Sequence, residues 1–518
     1  MSELSSKVLT LQALSESSVP ELEGVSLCYG LFNVIHPGHL RYFQTARQHG
    51  DCLVVAVEGA NALYGLERTE SFSEVDRARA VAALEIVDRV VILDAGRLED
   101  LVSLIKPRSM VLGREFESER LAEVEQAVAR VRKFGGQVFY AAGETHYATS
   151  DLFSGSQYEL ERDRWWSFRS ALSSRHIDLN EALARISESP EQRILVLGDT
   201  IVDRYVACDP VGMSSEAPVV VVKELEDKEF VGGAAIVAGH VAALGAESVY
   251  LSVIGKDTQA KFIENKLAEF GVTSYLFEDP SRPTTNKIRY MVEGQKLFRV
   301  SRLKEHSLQG DLEELVLQKL VELAPSLQGI LVCDFVYGVI TPRILEVLET
   351  ISRKYKIPLF GDLQCSSQIG DISKFQNFQL LCPTEREARI ALNNQDDSVE
   401  TVANMLMDET RSSKLLVKLG ADGFIAYDRD AETGFMHRQH FPALIANPMD
   451  VAGAGDALLA AVSVGLTHGL TLMEASALGC CVAGLAVQTV GNIPVRQEEV
   501  KRFVDQREIK GKIETDAV

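Results

Sequence analysis

Apolar and polar positions along this chain switch between two periods. Short apolar runs at Val25–Leu31, Leu53–Val57, Val90–Leu93, Ser109–Leu112 and Gln137–Ala141 are separated by stretches in which apolar residues recur at helical spacing. Such runs fit strands buried on both faces, and their alternation with amphipathic helices predicts βαβ units around a parallel sheet. From about 154 to 192 the helical period continues without a strand, so a boundary between domains is expected there. Alternation resumes at Arg193, with ILVLGD (194–199), ILVCDF (330–335), PLFGDL (358–363), FQLLCPT (378–384) and KLLVKLG (414–420) as the apolar runs. Segments near 205–230 and 283–302 alternate polar with apolar residues and predict a small, half-exposed sheet.

Charge and cysteine content narrow the classes. The 518 residues carry 53 Lys and Arg against 74 Asp and Glu, a net charge of −21. A chain this acidic lacks the footprint of a general phosphate-backbone binder, so no nucleic-acid partner is expected. Its 46% hydrophobic and 25% charged residues are ordinary for globular protein. Eight cysteines without a CxxC pair argue against a zinc ribbon or disulfide scaffold and for a reducing compartment. Residues 1–24 have no basic flank leading into an apolar core and are expected to form a loose tail rather than a secretory signal. No apolar run reaches the ~18 residues of a membrane span, so the expected location is the cytoplasm, with no membrane partner.

Two constellations carry chemistry. The first is CYGLFNVIHPGHL (28–40), an apolar strand and glycine turn leading through His36-Pro37-Gly38-His39 into a helix. Two imidazoles at a helix entry can donate to a triphosphate where backbone N–H groups already favour anions, and Gly30 and Gly38 allow close backbone approach. A pair of surface histidines at a helix cap would read the same way. The second is Asp450-Val451-Ala452-Gly453-Ala454-Gly455-Asp456 ahead of a long apolar helix. A glycine turn feeding a helix presents N–H groups to a transferring phosphoryl, and Asp456 can take the proton of an attacking hydroxyl. A tight loop with Asp456 as the helix cap is the alternative for that motif alone.

The first segment resembles the cytidylyltransferase-like nucleotidyltransferases, whose signature is GxFDxxHxGH, and the likeness runs over about 25–155. It implies that His36 and His39 stabilise charge on the α-phosphate and leaving pyrophosphate, that Arg77 adds a positive contact, and that Thr149 and Ser150 open a phosphate-binding helix. Gly30, Phe32, Asn33 and Gly38 would complete the nucleotide site. Asn33 and Ala60 stand where that family carries Asp, which implies a slow, altered or inactive transferase half.

The second half resembles the ribokinase/PfkB sugar kinases through GDTIVDRY (198–205), Gly232-Gly233-Ala234-Ala235, PTEREA and VKLGADG as well as the glycine turn. The resemblance implies Asp456 as base, Gly453, Ala454 and Gly455 as an anion hole, and Thr384, Lys418 and Gly420 at the nucleotide. It further implies Glu387 acting through water on a metal, and Asp199, Asp203, Gly232 and Gly233 at the sugar. Lys287, Arg289 and Arg299 supply charge suited to a sugar phosphate.

Both halves are similar to the bifunctional heptose 7-phosphate kinase/heptose 1-phosphate adenylyltransferases, in which the kinase usually comes first. Ile236, Thr384, Tyr337 and Gln364 depart from the expected Asn, Asn, Lys and Lys, which implies a changed sugar pocket. The expected fold is α/β, a Rossmann-like nucleotidyltransferase domain (25–155), a helical linker (156–192) and a ribokinase-like domain with a small β lid (193–518). The resemblance implies ATP as substrate, Mg2+ and a monovalent cation as cofactors, a sugar phosphate and a nucleoside triphosphate as ligands, and a homodimer. A degenerate sensor or scaffold that only binds such ligands is the competing class.

Overall fold

The computed structural model describes residues 7–16, 24–33, 35, 37–59, 72–94, 96–113, 116, 122–141, 157–217, 219–292, 295–365, 369–430 and 432–515. The chain divides into two compact units, 1–163 with 393–405 and 164–392 with 406–518.

The first unit holds an all-parallel sheet of β1 (Val8–Thr10), β2 (Val25–Gly30), β3 (Cys52–Glu58), β4 (Arg89–Leu93), β5 (Ser109–Gly113) and β6 (Gln137–Ala141), in the order β1-β4-β3-β2-β5-β6. Every residue of β2 is buried, and successive residues feed opposite cores: Leu27 and Tyr29 on one face, Cys28 on the other. A strand covered by helices on both faces requires this apolar run. Because β2 pairs with β3 on one side and β5 on the other, the winding reverses there, and the C-terminal ends of β2 and β5 mark the expected ligand crevice. Residues 8–16 are not the loose tail expected: β1 pairs with β4, and the helix Leu11–Glu16 buries Leu14. Three strand residues are too few for alternation to be read from sequence.

The second unit contains two sheets. Its strands are β7 (Arg193–Gly198), β8 (Thr200–Met213), β9 (Val220–Gly233), β10 (Glu247–Ile254), β11 (Thr273–Glu278), β12 (Thr285–Val292), β13 (Gln295–Arg302), β14 (Gly329–Asp334), β15 (Leu359–Leu363), β16 (Leu380–Leu381), β17 (Lys414–Lys418), β18 (Phe424–Arg429) and β19 (Met436–Phe441). Nine form one sheet in the order β11-β10-β7-β14-β15-β16-β17-β18-β19, parallel as far as β17 and antiparallel beyond. The other four, β13-β12-β8-β9, are the half-exposed lid the alternation predicts, and β13 is exposed along its whole length. The winding reverses between β7 and β14, so the ends of those strands, at Gly198 and Asp334, mark the expected ligand crevice.

Residues 156–192 are more than a linker. The helices Gln157–Ser174 and Leu179–Glu188 place Trp165, Phe168, Leu179, Ala182, Leu183 and Ile186 in the core of the second unit. Trp165 packs 5.4 Å from Phe503 and Phe168 6.4 Å from Phe441, ring centre to ring centre. Gln497 Nε2 donates to Leu183 O at 3.2 Å and to Ser187 Oγ at 2.8 Å. All eight cysteines are free thiols. Among the described residues no helix is long and apolar enough to cross a membrane.

Candidate functional site

In the second unit the helix Ala454–Thr467 begins behind Gly453, whose φ of 77° lies in the left-handed region. A Cβ there would also meet Asn492 Oδ1, so a side chain would displace that amide as well as strain the backbone. Asp456, in the first helical turn, is buried. Burial and the nearby Asp362 carboxylate push its pKa up to about 7, against the pull of Lys418 and of a hydrogen bond from Gln364. Gln364 Nε2 donates to Asp456 Oδ1 at 2.6 Å. Lys418 Nζ donates to both oxygens of Asp362, at 2.9 and 2.8 Å, and its ammonium abuts Gly455. Burial works against the lysine's charge, but Asp362 and Glu387 outweigh it and hold the pKa above the usual value. A base poised near neutrality thus sits beside a fixed cation at a helix N-terminus, an arrangement suited to deprotonating a hydroxyl that attacks a phosphoryl group.

Asp203, on β8, pairs with Arg289 on β12 and accepts from Asn492 Nδ2 at 3.2 Å. A Cβ on Gly232 would meet the Asp203 carboxylate and push it from its contacts with Arg289 and Asn492. Arg289 stacks over the Tyr205 ring at 5.2 Å, and Arg299 lies opposite it in the β12–β13 register, exposed. Lys287 is buried, 5.2 Å from the Phe335 ring and 5.3 Å from the Tyr337 ring. Gly233 caps the helix Ala234–Ala243 at φ 61°.

Some sequence assignments change. Asp199, expected at the sugar, accepts the backbone N–H groups of Phe335 (2.8 Å), Tyr337 (3.3 Å) and Val339 (3.3 Å), so its carboxylate anchors that loop. Burial and the Asp334 charge push it up to about 7 despite those donors. Ile236, read as marking an altered sugar pocket, is fully buried in the hydrophobic core.

Glu387 closes a capping box with Thr384. Thr384 Oγ1 accepts from Glu387 N at 3.2 Å, Glu387 Oε2 accepts from Thr384 N at 2.8 Å, and Oε1 accepts from Cys365 N at 2.9 Å. Thr384→Ala is expected to cost about 1 kcal/mol, the usual size of a lost N-cap, and a denaturant midpoint equal to the native one would contradict this. Thr384 also bridges Lys418 across the sheet, and Gly420 follows at φ 64°.

Residues that sequence reasoning missed are Asp362, Asn492 and Tyr205. Asp362 could have been suspected, because it is the next-to-last residue of a parallel strand, near the ligand side of the sheet. Tyr205 Oη donates to Asp450 Oδ2 at 2.5 Å, which ties a lid strand to the segment leading into the glycine turn. Asn492 lies in an irregular GNIP segment with no periodic signal.

In the first unit, β2 runs through Gly30 into a loop where Phe32 takes φ 51° and packs edge-on against His39 at 5.2 Å. His39 lies in the first turn of the helix Pro37–Gln48, with Gly38 buried beside it. Asn33 Oδ1 accepts from Phe72 N at 2.8 Å. Arg77 is almost fully buried and donates to three backbone carbonyls, Leu31 (2.5 Å), Glu58 (2.7 Å) and Phe72 (3.1 Å). Its guanidinium therefore ties the loops after β2 and β3 to the start of its own helix, in place of the free phosphate contact expected. His36, Ala60, Thr149 and Ser150 lie outside the described residues.

Residues 27–177 match the cytidylyltransferase-like family. The chain is 30% identical over 328 residues to "Bifunctional protein HldE" of Geotalea uraniireducens, covering 62% of this chain and 65% of that protein. It is 31% identical over 312 residues to the protein of the same name from Trichlorobacter lovleyi, covering 60% and 62%. The chain thus spans less than two thirds of the length of these curated relatives. Phosphofructokinase-2 from Escherichia coli, solved in complex with potassium, superimposes with a TM-score of 0.51 at 17% identity, over 61% of this chain and 98% of that one, which shows the ribokinase-like fold. Residues 191–498 match the pfkB family of carbohydrate kinases, and with the glycine turn and Asp456 in place the chain belongs to that family of transferases.

Proposed function

We propose that the protein makes a nucleotide-activated sugar in two steps on separate sites. Residues 193–518 phosphorylate heptose 7-phosphate at the anomeric position with ATP, and residues 25–155 couple heptose 1-phosphate to a nucleotide with release of pyrophosphate. The observation that carries the reading is Asp456, buried behind the glycine turn beside Lys418 with its pKa near 7. In the kinase step Asp456 takes the proton of the sugar hydroxyl as that oxygen bonds to the γ-phosphorus, and ADP leaves as the bridging bond breaks. Backbone N–H groups at Gly453–Gly455 and the Lys418 ammonium hold the transferring group. Asp203, Arg289 and Lys287 bind the sugar phosphate, while Asp199 positions the 335–339 loop.

Magnesium fits as part of the MgATP substrate. Among the described residues no three His, Cys, Asp or Glu side chains form a metal cage, and both Glu387 oxygens already accept backbone N–H groups. A cation that arrives on phosphates and keeps most of its waters needs no such cage. A monovalent cation completes the expected set. Exposed Val211, Met213, Val220 and Phe298 on the lid support a homodimer formed through that sheet. Having the transferase first leaves both sites intact, because the described residues of each lie within one unit.

The test is incubation with MgATP and a panel of sugar phosphates, with products read by mass spectrometry. Heptose 7-phosphate should yield a bisphosphate and ADP, and heptose 1-phosphate with nucleoside triphosphates should release pyrophosphate. Retained ATP binding with no product from any acceptor would instead establish a sensor or scaffold. A second reading, an active kinase with a slower transferase, is favoured by Asn33 and Arg77, both of which are engaged with backbone groups.

A further inference from the structure

The side chain that touches the kinase base is itself unassigned. Gln364 follows β15, and its backbone N–H donates to Asp334 O at 2.9 Å, which fixes the main chain between two strand ends. Its amide nitrogen lies 2.6 Å from Asp456 Oδ1 and 3.5 Å from Asp362 Oδ2. The amide nitrogen is the end that faces the two carboxylates, and it can donate to them in their ionised form.

The charged and titratable groups facing Asp456 are Asp362 from β15, Lys418 from β17, Asp203 from β8 and Cys333 from β14. Lys418 is committed to both oxygens of Asp362. Among the described residues, Gln364 is therefore the side chain that holds the base directly.

We propose that Gln364 is a positioning residue for phosphoryl transfer: its amide fixes one oxygen of Asp456 so that the other faces the sugar hydroxyl, and its neutrality keeps the carboxylate basic. This rests on Asp456 being the base. An ammonium at the same place would also orient the carboxylate, but it would stabilise the charged form and weaken the base. Loss of the donor would leave the carboxylate free to rotate and would remove a stabilising hydrogen bond from its charged form. The position of Asp456 near neutrality is consistent with a neutral partner.

The test compares Gln364→Leu and Gln364→Lys with the native full-length protein by two readouts. The first is the titration midpoint of the Asp456 carboxyl group, taken by infrared difference spectroscopy against Asp456→Asn, which needs no sugar. The midpoint should rise by about one pH unit in Gln364→Leu and fall by a similar amount in Gln364→Lys. The second readout is turnover with heptose 7-phosphate. It should drop about tenfold in Gln364→Leu with little change in KM, the acid limb of the pH profile following the midpoint. Gln364→Asn, one methylene too short to reach, should behave as Gln364→Leu and serves if that variant does not fold. Unmoved midpoints in the folded variants would overturn the proposal. Shifted midpoints together with full turnover in Asp456→Asn would instead show that the contact is real and the base assignment wrong, which also ends the positioning role.

Discussion

Asp456→Asn is expected to lower kinase turnover by roughly 10²–10⁴-fold, the range typical of a lost acid–base group, while ATP affinity and fold persist. The amide has the shape of the carboxylate but cannot accept the sugar proton, and on the proposed reading Gly453–Gly455 with Lys418 would still bind the triphosphate. In the native protein turnover should rise with pH through about 7 and level off above it, because only the ionised carboxylate acts as base. The stability consequence has a definite sign. The folded pKa is raised above the unfolded value, so the contribution of Asp456 is fully present below about pH 4 and is lost as pH rises through about 7. Asp456→Asn should therefore gain melting temperature relative to the native protein on going from pH 5 to pH 8. Near-native turnover in the folded variant would remove the assignment.

His39→Ala should abolish most pyrophosphate release, by about 10²–10³-fold if one electrostatic donor is lost, and leave sugar phosphorylation unchanged. His39 is only partly buried and sits in a first helical turn, so its removal costs little packing beyond the ring contacts with Phe32 and Phe43. Pyrophosphate release and ADP formation measured on the same preparation provide the check. A fall in phosphorylation in the folded protein would defeat the two-site reading and point to a coupled site.

The features readable in sequence were those with a strong local pattern. Continuous apolar runs gave the parallel sheet of the first unit and the parallel part of the second, strict alternation gave the lid, and the glycine turn located Asp456. What escaped depends on where a side chain goes after it leaves the backbone. Arg77 and Asp199 match their motifs by type, yet both are spent on backbone groups brought close only by the fold. Asn492 reaches Asp203 across 289 residues of sequence, and no local window holds that pairing. Ile236, a departure from a motif that suggested altered specificity, packs in the core, a placement no local pattern announces.

The helices ahead of β7 have a consequence for synthesis. The six-stranded sheet of the first unit has all its strands once residue 141 has left the ribosome. The core that receives Trp165 stays open until Phe503 is made, because those two rings pack together. At about 5–20 residues per second, the intervening stretch keeps a large apolar surface waiting for tens of seconds. The second half of the nascent chain is therefore the part more exposed to aggregation during synthesis, and a ribosome stalled before the last helix would release a first domain with its sheet complete joined to an aggregation-prone remainder.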